Sequence, residues 1–529
     1  MNQGSRSTWA LLGIFALAGV QCITVPAAGQ AVAVKPGAMP SIGSVDERFQ
    51  SYNIEMVEVT GGRFWKPYSS KAASTETGGN QPAGLDPSLY EYRAPINLEN
   101  SRLRKLAAAL GPAYLRVSGT WANTTYFQDS DAPAPAHPPE GFKGVLTRKQ
   151  WQGVIDFSNA VDAPLVTSFA ISAGVRDANG LWTPVQAKQI VDYTKAHGGK
   201  IAAAELFNEP TMPTIGGGPK GYDGAAFGRD IAAFRQFAKE SAPGMVVLGP
   251  GSVGEGTALT ASSGMPGMMT TPQMLDATGD AFDAFSYHFY GAVSARCGRF
   301  GAAATTTPEA ALTDEWLARA AKNEQFYAAL RDKYAPGKTI WLTETAEAAC
   351  GGDRWASTFL DTFRYLNQLG ALSRLGVKVH MHNTLAASDY GLLDEKTYTP
   401  RPNYWAALLW HTFMGSVVLD PGASGSNGLH LYASCLRNHP GGVALLAINA
   451  NKTDAQVLTL PSSAQRYTLT SPELQTTRVD LNGTELQLGA NDSLPALKGA
   501  AARRGKLTLA PASITFLTFA GAHNSACTQ

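Results

Sequence analysis

The sequence predicts an α/β protein: a (β/α)8 TIM barrel with a second, smaller antiparallel β-sandwich domain. Three observations carry this. From about residue 50, eight short β-like runs alternate with longer helical patterns. After about Leu419 the helical patterns stop, and short strands separated by Gly, Pro, Asn and Asp take over. The chain has 529 residues, which leaves ample length for a barrel and a further module.

Taken in order, the chain opens with Arg6, an apolar run from Trp9 to Val20 and small residues around Ala27–Ala31. That run is too short to span a bilayer and reads as a signal peptide over residues 1–30. The expectation is a secreted or periplasmic protein with no stable membrane insertion after the signal is removed. Ala31–Val34 is β-like, and 31–45 is assigned to the sandwich together with 419–529. The barrel is assigned to 46–418. Its predicted strands are Ser51–Val59, Tyr114–Ser118, Pro164–Ile171, Ile201–Phe207, Met245–Gly249, Ala284–Phe289, Thr339–Thr343 and Lys378–Asn383. Several are nearly continuous apolar runs, as strands buried on both faces should be. Helical patterns such as Ser101–Leu110, Lys149–Ala160, Thr183–His197, Gly224–Lys239, Thr313–Lys333 and Ala356–Leu369 lie between them. A doubly wound open sheet is the alternative, but Glu55–Thr60 is not the Gly-rich phosphate turn that such a fold places after its first strand. Tyr68–Ala94 and Asp129–Gly144 read as long loops on the barrel's active face. In the last module the expected strands are Ser424–Cys435, Val443–Asn449, Gln456–Leu460, Tyr467–Ser471, Leu486–Leu488 and Leu507–Phe519.

The formal net charge is +1, so no global field points to nucleic acid or to a membrane surface, and an acidic substrate must be recognised locally. Beyond the signal the cysteines are Cys297, Cys350, Cys435 and Cys527, an even number compatible with two disulfides in any of three pairings. No Cys, His, Asp or Glu spacing suggests a metal site, and no cofactor is implied.

In a barrel of this kind chemistry sits where the strands end. The fourth strand ends Glu205-Leu-Phe-Asn208-Glu209-Pro210 and the seventh ends Trp341-Leu-Thr-Glu344-Thr345, on opposite sides of the mouth. Two converging carboxyls are what glycosidic bond cleavage needs: one protonated to assist the leaving oxygen, one ionised to attack the anomeric carbon. Glu209 is the candidate acid/base and Glu344 the candidate nucleophile, the charge of the second raising the pKa of the first. Asn208 is a candidate donor to a substrate hydroxyl, and an Asx turn is its bland alternative. Glu347 competes with Glu344 from less well fixed loop territory. Glu205 reads as a buried, paired structural carboxylate, and Glu55 as a sugar-hydroxyl ligand. Tyr290 is placed to hold the nucleophile by a hydrogen bond and His288 to bind a hydroxyl or support the acids, with core packing the alternative for both. Arg116, closing the second strand, is a cation that would keep Glu344 charged, the alternative being an ion pair with another barrel carboxylate.

These residues resemble glycoside hydrolase family 79, the heparanase-like β-glucuronidases. The carriers are Glu-Leu-Phe-Asn-Glu-Pro at 205–210, Gly-Pro-Ala-Tyr-Leu-Arg at 111–116 and Trp-Leu-Thr-Glu-Thr at 341–345, with Gly391-Leu-Leu-Asp-Glu395 and Pro402-Asn-Tyr-Trp405. The resemblance implies a retaining enzyme that binds the C6 carboxylate of a β-linked glucuronic acid through backbone N–H groups at Gly351 and Gly352 and through Tyr390. It places Glu55, Thr120, Asn208, His288, Tyr290 and Asn383 among the other substrate contacts. It suggests a Cys435–Cys527 staple in the sandwich. Cys350 stands where an aromatic often precedes the Gly-Gly pair, and a Cys297–Cys350 bridge between the loops after strands six and seven is hypothesised there. Asp129–Gly144 is too short to match an excised linker, so a single chain needing no activation cleavage is expected.

The expected substrate is a uronic-acid-containing glycoside or oligosaccharide. Exo action is favoured, with Tyr68–Ala94 walling the pocket. The rivals are an endo-acting hydrolase of sulfated glycosaminoglycan, with Arg296 and Arg299 on sulfates, and a non-catalytic carbohydrate-binding protein on a degenerate barrel.

Overall fold

The computed structural model describes residues 1, 31–70, 86–256, 267–300, 304–422 and 428–528; the expected signal peptide and the middle of the Tyr68–Ala94 loop lie outside them. Eight parallel strands close into a barrel: Gln50–Glu55, Leu115–Ser118, Leu165–Ser168, Ile201–Glu205, Val246–Ser252, Ala284–Val293, Thr339–Ala349 and Val377–His382. In chain order these are strands one to eight. Closure excludes the doubly wound alternative. No described helix is long and apolar enough to cross a membrane.

Alternate residues of a barrel strand point inward, and this periodicity divides the interior into layers. At the base Val166, Ala203, Leu248, Ala284, Trp341, Val379 and Met381 form one apolar plug. Two residues further along strands two, four, six and seven stand Arg116, Glu205, Ser286 and Thr343, a polar layer that is also buried. Charge in that position has to be paired internally, and the pairing builds the candidate site described below.

Three barrel strand ends differ from the prediction by four residues or more. Strand one stops at Glu55, and Met56–Thr60 is a helix. A capping box starts it: the Glu55 side chain accepts from the Glu58 N–H, and the Glu58 carboxylate accepts from the Glu55 N–H at 2.9 Å. Strands six and seven run longer than expected, pairing as far as Val293 with Ala349, so a two-stranded tongue rises above the barrel mouth. Cys297 and Cys350 are disulfide-bonded just beyond it, Cα–Cα 6.5 Å. At the described end of the first long loop Tyr90–Arg93 is a strand, paired antiparallel with Gly62–Trp65, which precedes the loop. Asp129–Gly144 is held at its base by parallel pairing of Thr125–Gln128 with Gly144–Thr147.

A nine-stranded sheet and a three-stranded sheet, mostly antiparallel, make the second module. Ser41–Ser44 enters the larger sheet beside Met414–Leu419, so the chain joins it five residues before 419. Val32–Ala33 pairs with Gln456–Leu460 in the smaller sheet. Leu507–Phe519, read as one strand, is two: Gly505–Leu509 in the small sheet and Ser513–Phe519 in the large one. The turn between them carries Ala512 at φ 45°. Leu486–Leu488 is not a strand; the short pair Asp480–Leu481 and Thr484–Glu485 precedes it. Cys435 and Cys527 are disulfide-bonded, Cα–Cα 5.3 Å.

Helix Phe359–Arg374 is wedged between barrel and large sheet, and nearly all of it is buried. Its first N–H groups, which no intrahelical carbonyl can satisfy, donate to Thr476 and Leu474 carbonyls at 2.9 and 2.7 Å. Tyr432 of the sheet donates to Asn367 at 2.6 Å and lies flat against Gly370, where a Cβ would stand 2.2 Å from the ring. Gly370→Ala should therefore destabilise the protein although alanine is the better helix former by about 1 kcal/mol. Overpacking against a buried ring costs about 1–3 kcal/mol, so a net loss of up to about 2 kcal/mol is expected, read as a fall in the denaturant midpoint. An unchanged or raised midpoint would refute the close packing of the two modules here.

Candidate active site

The site starts from one buried guanidinium. Arg116, 1 % exposed, donates from Nη1 to Glu344 Oε2 at 2.7 Å and from Nη2 to Glu205 Oε2 at 3.1 Å and to Asn208 Oδ1 at 2.8 Å. Its fork thus spans strands two, four and seven. Glu205 also accepts from Ser286 and Thr343 hydroxyls at 2.7 and 2.8 Å. Burial alone would raise the pKa of Glu205, but Arg116 and His288 outweigh it and hold the carboxyl well below the usual range.

Strand four ends at Glu205, and the chain turns over Asn208 and Glu209 before Pro210. Glu209 sits at φ 54°, a left-handed conformation that an L-residue adopts only when its surroundings impose it. Asn123 imposes it: its Oδ1 accepts from the Asn208 N–H at 2.8 Å and its Nδ2 donates to the Asn208 carbonyl at 2.9 Å. The Glu209 carboxyl reaches His288 Nδ1 at 3.2 Å. One side-chain ligand atom from each of Glu209, His288 and Glu344 lies within 4.8 Å of the others, so the two carboxyls face each other across the mouth.

Their environments differ. Burial pushes both upward, and in Glu209 it prevails, assisted by the charge of Glu344. In Glu344 the opposing influences of His288, Arg116 and a 2.6 Å hydrogen bond from Tyr290 win, and its pKa falls below the ordinary carboxylate value. His288 is fully buried; its Nε2 sits 3.2 Å from Arg116 Nη2 and 3.8 Å from Glu205 Oε2. Burial disfavours its charge, but Glu344, Glu205 and Glu209 push its pKa up to about 9. With Glu209 protonated, Arg116 and His288 balance Glu205 and Glu344 charge for charge.

A second layer closes the mouth. Asn383 donates to Glu55 Oε1, Tyr290 OH and Tyr390 OH at 3.0, 3.1 and 3.3 Å. Burial and the charge of Glu344 raise the pKa of Glu55 well above its usual range. Gly119, at φ 91°, permits its position: a Cβ there would fall 1.4 Å from Glu55 Oε2. Glu55 Oε2, Asn208 Nδ2 and Asn383 Oδ1 are buried without a hydrogen-bond partner. Unmatched polar atoms at such a density are costly unless a ligand or water completes them, and sugar hydroxyls supply both donors and acceptors.

Thr120 opens the short 3-10 turn Thr120–Thr124 after strand two. Gly351 and Gly352 follow the tongue at φ 85° and 84°; a Cβ on Gly351 would stand 2.6 Å from Trp65 and from Ser388. The Gly352 N–H donates to the Ala348 carbonyl at 3.2 Å, so that donor closes the turn. Glu347 turns its carboxyl away to accept from the Asp353 N–H at 2.9 Å. Arg296 is committed: it ion-pairs with Asp389, donates to the Gly352 carbonyl at 3.1 Å and lies 4.0 Å over the Tyr68 ring. The sulfate-contact role considered for it is replaced by a structural one, because its charge is already neutralised and largely buried. The Arg299 side chain lies outside the described residues.

Glu209, His288 and Glu344 could each offer one ligand to a cation. Arg116, 2.7 Å from the Glu344 oxygen, already supplies positive charge there and would repel a metal ion. Sequence reading missed Asn123 and Gly119. Both act through backbone geometry, one holding a turn from 85 residues away and one making room, and neither residue type carries a chemical signal.

A family model described as glycosyl hydrolase family 79, N-terminal domain, matches residues 93–370. Heparanase of Bos taurus is 27% identical over 505 residues, covering 84% of this chain and 87% of that protein. Baicalin-beta-D-glucuronidase of Scutellaria baicalensis is 35% identical over 190 residues, 34% of this chain and 36% of that protein. Among solved structures, a 4-O-alpha-L-rhamnosyl-beta-D-glucuronidase from Fusarium oxysporum matches with a TM-score of 0.62 over 93% of this chain and 100% of that one; at 14% identity the likeness is one of fold.

The raised pKa of His288 fixes a pH dependence. Its stabilising contribution is complete below the unfolded value near 6.5 and is lost as pH rises through about 9. The stability difference between the native protein and His288→Asn should shrink by up to roughly 3 kcal/mol between pH 6 and 10. Denaturant titrations across that range check it, and a pH-independent difference would refute the charged, carboxylate-held imidazole.

Proposed function

The chain belongs to glycosyl hydrolase family 79 and is a glycoside hydrolase; on that premise we propose that it removes a β-linked glucuronic acid by a retaining double displacement. The observation that carries this reading is the Glu209–Glu344 pair, its carboxyls facing each other within 4.8 Å and their pKa values pushed in opposite directions. An approach this close of one oxygen from each carboxyl favours the roughly 5–5.5 Å carboxyl spacing of retaining enzymes over the wider gap of inverting ones.

In the first step Glu209 gives its proton to the glycosidic oxygen while Glu344 attacks C1, and the C1–oxygen bond breaks. Arg116, His288 and Tyr290 keep Glu344 ionised for that attack. In the second step Glu209, now ionised, takes a proton from water as the water oxygen displaces Glu344 from C1. Two inversions retain the configuration. Glu55, Asn208 and Asn383 present their unmatched atoms to sugar hydroxyls. Tyr390 and the Gly351 turn are the groups assigned to the C6 carboxylate.

The choice of a uronic acid is supported by the name of the Scutellaria relative. Exo action is supported by the lacing of the loops at one side of the mouth. Tyr68 bonds Ser294 at 3.0 Å and its N–H donates to Asp389, while the Cys297–Cys350 bridge joins the neighbouring loops. Such a wall admits a terminal sugar. The endo-acting reading has the Bos taurus heparanase behind it. The N-terminal run at Trp9–Val20 supports export.

A panel of aryl β-glycosides tests the proposal. Rapid turnover of an aryl β-glucuronide over the galactoside and xyloside is expected; cleavage only of long acidic polymers would favour endo action, and a preferred neutral glycoside would overturn the substrate. Glu344→Ala should abolish turnover. Glu209→Ala should lose activity mainly on poor leaving groups, where the acid matters most; equal loss on good and poor ones would remove Glu209 from that role. Tyr290→Phe deletes a hydrogen bond that lowers the pKa of Glu344, so the acidic limb of the kcat/KM profile should move to higher pH by about half to one unit. A limb that stays put would refute this support.

A further inference from the structure

The β-sandwich carries a polar groove that takes no residue from the barrel. On strand Ala464–Thr470, Ala464 contributes to the sandwich core, and Arg466, Thr468 and Thr470 share its face by alternation. Thr515, two residues before the core residue Leu517, lies beside Thr468, their hydroxyls 3.0 Å apart. Here the inner face of the large sheet changes from apolar to hydroxyl-bearing. The edge strand of the small sheet, Gly505–Leu509, forms the other wall through Thr508 and its neighbours. The space between them is about 200 Å³, about the size of one sugar ring.

The groove holds a cation without a counter-ion. Arg466 Nε is buried with no hydrogen-bond partner, and among the described residues the guanidinium joins no ion pair. The carboxylates of the adjoining strand pair, Asp480 and Glu485, are held by Arg478 at 3.1 and 3.5 Å. Asn482 fixes the backbone beneath: its Nδ2 donates to the Arg466 and Lys498 carbonyls at 3.1 and 3.0 Å, and its Oδ1 accepts from the Thr468 N–H at 3.0 Å. Strand Ala500–Ala502 pairs with this segment, Arg466 opposite Ala500. The exposed Lys498, Arg503, Arg504 and Lys506 stand before and after that strand in the chain, none in an ion pair among the described residues. In a chain of net charge +1 this is a local concentration of unmatched positive charge.

We propose that this groove is an accessory binding site for an acidic sugar residue, with Arg466 taking the carboxylate and the threonine hydroxyls taking ring hydroxyls. A guanidinium matches a carboxylate in geometry and charge, and threonine hydroxyls both donate and accept, as sugar hydroxyls require. The flanking lysines and arginines draw further acidic residues of the same chain along the surface. A polymer held there is retained by the enzyme between cleavages. The choice of a uronate as the acidic sugar rests on the substrate reading above.

The test uses the full-length chain made inactive by Glu209→Gln and Glu344→Gln, titrated calorimetrically with a glucuronate tetrasaccharide. Two sites are expected. Adding Arg466→Ala should weaken one of them about tenfold or more, and Thr470→Val, which keeps the shape, should weaken the same site. In the otherwise native enzyme Arg466→Ala should leave kcat/KM on a small aryl glucuronide unchanged while lowering the rate on a long acidic polymer. A single site, or binding indifferent to both substitutions, overturns the proposal. So does equal binding of a neutral glucose tetrasaccharide, or displacement of the acidic one by sulfate beyond the effect of chloride at the same ionic strength, which would mark a general anion site. Arg466-dependent binding with no turnover of any glucuronide would leave this inference standing and remove the catalytic reading instead.

Discussion

The buried Arg116 guanidinium is the constraint on which the rest of the site depends. A cation at 1 % exposure inside a barrel is tolerable only with its charge neutralised, and both terminal nitrogens of Arg116 are bonded. Glu205 and Glu344 neutralise it from strands four and seven, and Asn208, in the turn after strand four, takes a further donor. Satisfying one side chain therefore sets the relative positions of strands two, four and seven at the height of the candidate site. Glu205 contributes by being unavailable. Fully ionised and held by two hydroxyls, it supplies the negative charge that lets Arg116 and His288 both remain positive. Those two cations hold down the pKa of Glu344, and the ionised Glu344 in turn helps hold up that of Glu209.

The scaffold leaves this network little freedom. The base of the barrel is apolar and packed, so the polar layer cannot relax downward. Above, the tongue of strands six and seven, the Cys297–Cys350 bridge and the Tyr68–Arg296–Asp389 cluster tie four loops into one rim. Helix Phe359–Arg374, which follows strand seven, is clamped by sandwich carbonyls at its start and by Tyr432 along its side. The second module thereby buttresses the strand that carries Glu344. A sandwich that also holds acidic sugar residues would join support of the site to supply of its substrate.

Much of this was legible in the sequence because the signals were local. Eight apolar runs with helices between them require a barrel or a wound sheet, since strands buried on both faces need helices as cover. Glu209 and Glu344 stood out as acids at strand ends, where a barrel concentrates its chemistry. Element ends were less legible. Met56–Thr60 is as apolar as a strand continuation, and its helix follows from a reciprocal cap between Glu55 and Glu58 that alternation does not reveal. The fork of Arg116, the clasp of Asn123 and the space left by Gly119 link residues far apart in the chain, through contacts that neither composition nor periodicity encodes.

The sequence by itself determined the kind of protein and which acids compete for its chemistry, because hydrophobic periodicity and residue type are properties of a segment. Only the tertiary structure decided that Glu347 faces Asp353 while Glu344 faces Arg116, and that Arg296 is spent on Asp389 while Arg466 stands unmatched. The reason is electrostatic. The protonation and availability of a charged group are set by the charges within a few ångströms of it, and folding alone chooses those neighbours.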